Sequence, residues 1–225
     1  MKIQAIVPAA GAGRRLQSRI PKPLVILKGK PIFIYALMIM EQCRAIESVL
    51  VAADRRNLKE FKRLIQKFGL RKVKHVVAGG VRRCDSVRNT LAFLDEDTQA
   101  VVIHDAARPF VTVDLIEKAV SWLPKERGIT AAVPIKPTIK KVDPKDWYVQ
   151  KTLLRDGLFE VQTPQVFQKK LLQEAYRRML SCDPTDDCVL VEKMGVKVKV
   201  IKGDDRNIKI TTPEDLKIAR AFLTS

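Results

Sequence analysis

The stretch Pro8-Ala9-Ala10-Gly11-Ala12-Gly13-Arg14-Arg15, followed by Pro21-Lys22-Pro23, gathers small residues, glycines and cations in one short run. Glycines and small side chains let the backbone approach a ligand closely, and its N–H groups can then bind phosphate oxygens. Two familiar phosphate motifs fail here. The dinucleotide fingerprint fails because Leu16 stands where its third glycine belongs, and the Walker sequence fails because no Gly-Lys-Ser/Thr follows. What remains is a phosphate-sized nest flanked by cations. An ordinary loop with solvated arginines is the plain alternative.

Three further stretches carry chemistry. In His104-Asp105-Ala106-Ala107-Arg108-Pro109, Asp105 is a candidate for a magnesium ion or a sugar hydroxyl. Ala106 and Ala107 leave room for a ribose, and Arg108 offers a planar fork for phosphate. His104 closes a buried strand and is read as structural. In Gly79-Gly80-Val81-Arg82-Arg83-Cys84-Asp85-Ser86-Val87, glycines precede a helix whose first turn holds Ser86. That serine could meet a base edge, or the stretch could be a simple helix cap. Lys209 in Arg206-Asn207-Ile208-Lys209-Ile210-Thr211-Thr212-Pro213-Glu214-Asp215 is by itself an ordinary surface lysine, of interest for the company it keeps. No nucleophile–base pair is evident. Phosphoryl-type transfer needs none, because positioning and charge stabilisation can carry it.

Composition narrows the classes. With 225 residues and 46% hydrophobic residues, one globular domain spanning 1–225 is expected. No apolar run approaches the roughly 20 residues of a membrane span. The first eight residues read as a strand rather than a signal peptide, so a cytoplasmic protein is expected. Cys43, Cys84, Cys182 and Cys188 form no C-x-x-C pair, and His75 and His104 are the only histidines. Four reduced thiols are therefore expected, with no local zinc site and no disulfide framework. The net charge of +17 raises a nucleic-acid hypothesis. However, the basic residues are dispersed, and no aromatic-rich basic stripe interrupts them. Surface solvation, with a heat-adapted surface as one cause, takes most of the charge, and phosphate binding takes a small share.

The positioning elements follow from apolar periodicity. Strands are expected at 3–7, 24–27, 49–53, 73–77, 101–104, 129–133 and 196–201. Helices are expected from 31 to about 44, on a face made by Phe61, Leu64, Ile65 and Phe68 and stopped by Gly69, and at 85–94, 114–122, 169–180 and 186–194. A last helix is capped by Thr212, with Pro213 first and acids in the opening turn. The alternation predicts an α/β, Rossmann-like, mostly parallel sheet with helices on both faces. Ligands then sit outside the carboxyl ends of the strands, so the loops at 8–22 and 105–109 should share one sheet edge. Residues 134–154, with strand-like pieces at 139–142 and 147–153, break the rhythm. They are read as a projecting β-hairpin arm.

Taken together and in this order, from about residue 3 to 223, these stretches resemble the 2-C-methyl-D-erythritol 4-phosphate cytidylyltransferases of the non-mevalonate isoprenoid pathway. The shared runs include Pro-Ala-Ala-Gly-Ala-Gly-Arg-Arg, Gly-Gly-Val-Arg-Arg-Cys-Asp-Ser-Val, His-Asp-Ala-Ala-Arg-Pro, Thr-Pro-Gln and Asn-Ile-Lys-Ile-Thr-Thr-Pro-Glu-Asp-Leu. The resemblance implies transfer of CMP from CTP to 2-C-methyl-D-erythritol 4-phosphate with release of pyrophosphate, a magnesium cofactor, and a homodimer formed through the arm. No fused cyclase domain is expected. It implies that Arg15 and Lys22 stabilise the crowded phosphorus and that Lys209 orients the attacking phosphate. Ala9, Ala10, Gly80 and Ser86 would hold cytosine, and Val81 and Ala106 would line the ribose. Gly11 and Gly13 would shape the triphosphate loop, with Pro8 and Arg83 completing the nucleotide set. Asp105, Arg108, Thr138, Arg155, Thr163 and Thr185 would hold the sugar phosphate, with Thr138, Arg155 and Thr185 acting across the dimer. Two departures stand out. Pro23-Leu24 replaces a common Gln-Tyr, and Val81 replaces a polar residue near the ribose. A ribitol-phosphate cytidylyltransferase is the nearest rival, sharing the nucleotide loops and differing on the acceptor side. A nucleic-acid-binding protein is the distant one.

Overall fold

The computed structural model describes residues 1–11, 13–16, 18, 20–179 and 184–224, and of Arg14 only the backbone. Cys182 and the end of the helix expected to reach residue 180 lie outside these. The chain begins with β1 (Ile3–Ala9), a small pair β2 (Ile26–Leu27) and β3 (Lys30–Pro31), and α1 (Ile32–Gln42). It continues through β4 (Ser48–Ala53), α2 (Leu58–Lys67), β5 (Val73–Ala78), α3 (Arg83–Leu91), β6 (Ala100–Ile103) and α4 (Val113–Val120). Then come β7 (Gly128–Pro134), β8 (Ile139–Val142), β9 (Val149–Leu153), β10 (Phe159–Gln168), α5 (Lys169–Arg178), α6 (Cys188–Glu192), β11 (Lys199–Lys202) and α7 (Pro213–Phe222).

Seven strands form one sheet in the order β11-β7-β10-β6-β1-β4-β5. All pairings are parallel except those of β10, which runs antiparallel to both β6 and β7. The expected α/β class therefore holds, and its one reversed strand is an addition. Thr163-Pro164 inside the run disguises β10, because proline argues against a central strand. The structure accommodates it with a register shift against β7 between Val161 and Gln165. Pro8 is accommodated similarly. It lies in β1 beyond Ile6, where pairing with β6 has ended, so its missing N–H interrupts no ladder.

The strands alternate faces as a two-sided sheet must. Ile3, Ala5 and Val7 of β1 pack with Val49, Val51 and Ala53 against α1, α2 and α4. Ile6, Leu50, Val101 and Ile103 pack on the other face against α3, α5 and α6. Each valine, leucine or isoleucine among them taken fully from water contributes roughly 1.5–3 kcal/mol.

Several boundaries move for local reasons. The strand expected at 24–27 keeps only Ile26–Leu27, because Lys22–Leu24 is a tight turn with the Leu24 N–H donating to Pro21 O at 2.8 Å. Helix α3 starts earlier, at Arg83, because the Arg82 N–H donates to the Asp85 carboxylate at 3.2 Å. The helix expected at 186–194 shortens to Cys188–Glu192, and the strand expected at 196–201 to Lys199–Lys202. Thr212 caps α7 as expected, its hydroxyl accepting from the Asp215 N–H. The β8–β9 hairpin pairs only with itself among the described residues. It carries exposed Trp147 and Tyr148 at its tip.

Candidate active site

The carboxyl ends of β1, β5 and β6 bring the glycine loop, the Gly79-Gly80 loop and the Asp105 loop to one edge of the sheet. Together with Lys209 they line a cavity of about 170 Å³. Pro8, Ala9, Ala10 and Gly11 form one side. Gly80, Val81, Arg83 and Ser86 form a second, and Asp105 and Ala106 the floor. Arg15, Lys22 and Lys209 bring positive charge to the same space. Every nucleotide-binding and catalytic candidate from the sequence lines this cavity except Gly13.

Gly13 acts from behind. It has φ +66°, and a Cβ there would collide with the Lys22 side chain and come within 3.3 Å of the Lys22 backbone N. Its absence of side chain is what lets the two parts of the loop close on each other. Gly79 is constrained too: a Cβ would lie 2.5 Å from Ala10 Cβ and 2.8 Å from Ser86 Oγ. Ser86 Oγ in turn accepts from the Gly80 N–H at 3.1 Å. Leu16, the residue that spoils the dinucleotide fingerprint, is buried with Leu27, Ile32, Ile210 and Ala219 in a small separate core. That core ties the Arg15–Lys22 loop to the segment bearing Lys209.

A second cavity, about 430 Å³, lies beside the first. Arg108, Thr163 and Thr185 line it, and Arg83, Asp105 and Lys209 line both. These three form an ion-paired wall. Arg83 Nε lies 2.7 Å from Asp105 Oδ1, and Lys209 Nζ lies 2.6 Å from Asp105 Oδ2. Arg83 Nη1 also reaches the buried Asp187 carboxylate at 2.7 Å. Burial pushes the Asp105 carboxyl upward, but Arg83 and Lys209 outweigh it and hold it well below the usual carboxylate range. Burial lowers the Arg83 guanidinium, and Asp105 and Asp187 more than reverse that. Lys22 is lowered to about 8, first by burial and then by the charges of Lys209 and Arg15, against the pull of Asp105.

His104 takes the structural place expected of it. Its Nε2 faces the Arg108 carbonyl at 3.0 Å, so Nε2 must carry the proton. Nδ1 then accepts from Thr163 Oγ1 at 2.9 Å, and that oxygen accepts from the Asp105 N–H at 3.1 Å. Burial lowers the imidazole to about 4, so it is neutral at physiological pH.

Two expectations fare differently. Among the described residues Asp105 is the sole carboxylate lining the first cavity, and both its oxygens are already ion-paired. Among the described residues no group of three His, Cys, Asp or Glu side chains stands close enough to hold a metal ion. The donors therefore do not fit a resident magnesium site. Thr138 and Arg155 line neither cavity. They lie at the base of the hairpin, where Arg155 Nη1 donates to Lys136 O at 2.7 Å. Sequence reasoning also passed over Asp187, Gln162 and Asn207, all buried around the wall. An Asp-Asp pair next to Thr185 and an Asn two residues before Lys209 were the available signals.

Comparison with known proteins bears on this geometry. A family model described as 2-C-methyl-D-erythritol 4-phosphate cytidylyltransferase matches residues 3–225. Proteins of that name from Syntrophus aciditrophicus and Alkaliphilus metalliredigens are 40% and 42% identical to this chain. The alignments cover 99% of this chain and 96% and 93% of those proteins, respectively. The crystal structure of 4-diphosphocytidyl-2C-methyl-D-erythritol synthase from Anaerococcus prevotii superposes with a TM-score of 0.88 at 32% identity, covering 100% of this chain and 96% of that one. A match running through both cavities and the hairpin leaves no part of the described chain to another fold, and the chain belongs to the 2-C-methyl-D-erythritol 4-phosphate cytidylyltransferase family.

Proposed function

We propose that the two cavities hold the two reactants of one transfer, CTP in the smaller and 2-C-methyl-D-erythritol 4-phosphate in the larger. As a family member the chain is an enzyme that moves CMP from CTP to that acceptor, giving 4-diphosphocytidyl-2-C-methyl-D-erythritol and pyrophosphate. The family match favours this acceptor over ribitol phosphate, and an enzyme over a nucleic-acid-binding protein. The observation that carries the site reading is the shared wall. Arg83, Asp105 and Lys209 face both cavities, so an acceptor phosphate held by Lys209 stands next to the nucleotide phosphates.

In this reading an oxygen of the 4-phosphate attacks the α-phosphorus of CTP in line. A new P–O bond forms as the bond from the α-phosphorus to the bridging oxygen breaks, and pyrophosphate leaves with that electron pair. Arg15 and Lys22 neutralise the charge that grows on the α-phosphoryl oxygens. Positioning does the rest, because no covalent enzyme intermediate is needed. Magnesium is assigned to the substrate, carried on the triphosphate oxygens rather than held in a protein cage.

The reading includes a homodimer in which the hairpin of one subunit completes the partner's acceptor cavity. It is supported by Trp147, Tyr148 and Leu154, which are 82%, 75% and 88% exposed in the single chain. Such side chains usually find cover. It is also supported by the position of Thr138 and Arg155 away from their own chain's cavities. No helix among the described residues is long and apolar enough to cross a membrane, and the cytoplasmic location expected from the sequence is retained as part of the proposal.

The deciding assay incubates the enzyme with methylerythritol phosphate and each of the four nucleoside triphosphates, with ribitol phosphate as a second acceptor. Pyrophosphate release is expected with CTP and methylerythritol phosphate only. Lys22→Ala is expected to lower that release roughly a hundredfold. Near-normal turnover by this variant would defeat the assignment of Lys22.

A further inference from the structure

Lys209 sits in a segment, residues 203–210, that has no regular secondary structure. A lysine on such a segment would ordinarily sweep a wide volume, yet this one is held against Asp105. Two buried amides, Gln162 and Asn207, account for the restraint. Gln162, on β10, donates from Nε2 to Asp204 O at 2.9 Å. Its Oε1 accepts from the Asp204 N–H at 3.3 Å and from Asn207 Nδ2 at 3.2 Å. Asn207 is completely buried, and its Nδ2 also donates to Thr163 O at 2.8 Å.

Neighbouring contacts complete the clamp. Arg108, expected to bind phosphate, spends Nη1 on Asn207 O at 2.7 Å and Nη2 on Val161 O at 3.2 Å. The Ile210 N–H donates to Ala107 O at 2.8 Å. Gly203 leaves the room that Gln162 occupies, since a Cβ there would lie 2.5 Å from Gln162 Oε1. The residue that accepts the Asp105 N–H, Thr163, is the same residue whose carbonyl accepts from Asn207. One network thus fixes both members of the Lys209–Asp105 pair.

We infer that Gln162 and Asn207 are positioning residues that aim Lys209 at the acceptor phosphate. This role rests on the reading of Lys209 as the group that orients that phosphate. Burying two amides costs stability where a bond is unmet, as at Asn207 Oδ1, and an apolar pair could fill the space. What the amides add is direction: they bind backbone atoms and so set the register of the segment, which apolar contacts leave free to slide.

Initial rates in both substrates for Asn207→Ala, Gln162→Leu and Gln162→Glu, each in the wild-type and the Lys209→Ala background, test the role. Asn207→Ala and Gln162→Leu are expected to lower kcat/KM for methylerythritol phosphate by about tenfold to a hundredfold. The KM for CTP is expected to stay within about twofold. Gln162→Glu keeps the volume and the acceptor oxygen but sets a second carboxylate oxygen against the Asp204 carbonyl to which Nε2 donates, and is expected to lose at least as much as Gln162→Leu. It also carries the test if Asn207→Ala does not fold. In the Lys209→Ala background none of the three should cost more, because residues acting through one group are not additive. Additive losses, or an equal loss in the handling of CTP, would overturn the role. If Lys209→Ala itself handles the acceptor normally, the reading of Lys209 falls and takes the positioning role with it. If Lys209→Ala is impaired while the amide variants are not, the positioning role alone falls.

Discussion

Lys209 and Asp105 hold each other at 2.6 Å across the wall between two cavities. The Asp105 carboxylate is also held by Arg83, and it is buried. Replacing it by Asn leaves Lys209 unpaired and Arg83 with Asp187 alone. Breaking such a buried pair is expected to cost about 3 kcal/mol at pH 7. The pH dependence has a definite sign. A carboxylate held below its unfolded pKa, near 3.9, stabilises the fold above that pH and loses its contribution on acidification. The stability gap between wild type and Asp105→Asn should therefore be full at pH 7 and narrow below about pH 4. Urea unfolding at the two pH values checks this. A gap that stays constant would show that the carboxylate is not the source.

Gly13→Ala should damage catalysis from outside the cavity. The substitution introduces a Cβ at φ +66°, against the Lys22 side chain. The left-handed conformation alone costs about 1–2 kcal/mol for a residue with a Cβ, and the collision must in addition displace Lys22. The expected result is a loss of turnover of tenfold or more, by analogy with removal of a charge-stabilising donor (~100-fold), with the far-UV circular dichroism kept. Full activity in the Ala variant would mean that the loop tolerates a different position of Lys22.

Much of the first cavity is legible in the sequence because each loop that lines it is one contiguous run of diagnostic residue types. Pro8 to Gly11, Gly80 to Ser86 and Asp105 to Arg108 each leave the end of a parallel strand, so the alternation of elements suffices to bring them to one edge. The acceptor side is harder to read, for physical reasons. β10 is the one reversed strand, and Thr163-Pro164 hides it behind a proline that a register shift absorbs. Arg108 lines the second cavity, and its type does not announce that Nη1 and Nη2 also hold two backbone carbonyls. Asp187 and Asn207 work through burial and long-range partners, so the local signals beside Thr185 and Lys209 mark their positions without giving their roles. Thr138 and Arg155 cannot be placed in a cavity from one chain at all, if a second chain supplies the cavity they serve.

The cation cluster predicts a pH profile. Lys22 is lowered from the ordinary value of 10.5 to about 8, by burial first and then by Lys209 and Arg15. It is charged below that pH and neutral above it, so its electrostatic help is lost as pH rises. For the free enzyme, kcat/KM for CTP should fall as pH rises through about 8. Bound triphosphate favours the charged form, so the alkaline limb of kcat should lie at higher pH. Lys22→Arg, whose side chain stays protonated throughout, should flatten the limb even if its rate is lower. An unchanged limb in this variant would assign the titration to another group.

The hairpin reading makes a prediction that no single-chain change can mimic. If the arm completes the partner's site, Arg155→Ala and Lys22→Ala should each inactivate the homodimer, Arg155→Ala by weakening the sugar phosphate while CTP affinity is kept. In a mixed dimer the Lys22→Ala subunit retains an intact arm. Placed on the partner, that arm serves a site whose own Lys22 is wild type, and the second site carries both lesions. Random pairing makes about half of the dimers mixed, each with one competent site in two, so co-refolding should restore about a quarter of wild-type activity. If the arm serves its own chain, every site keeps one lesion and mixing restores nothing. The recovered activity in the mixture therefore discriminates directly between an arm that reaches across and one that folds back.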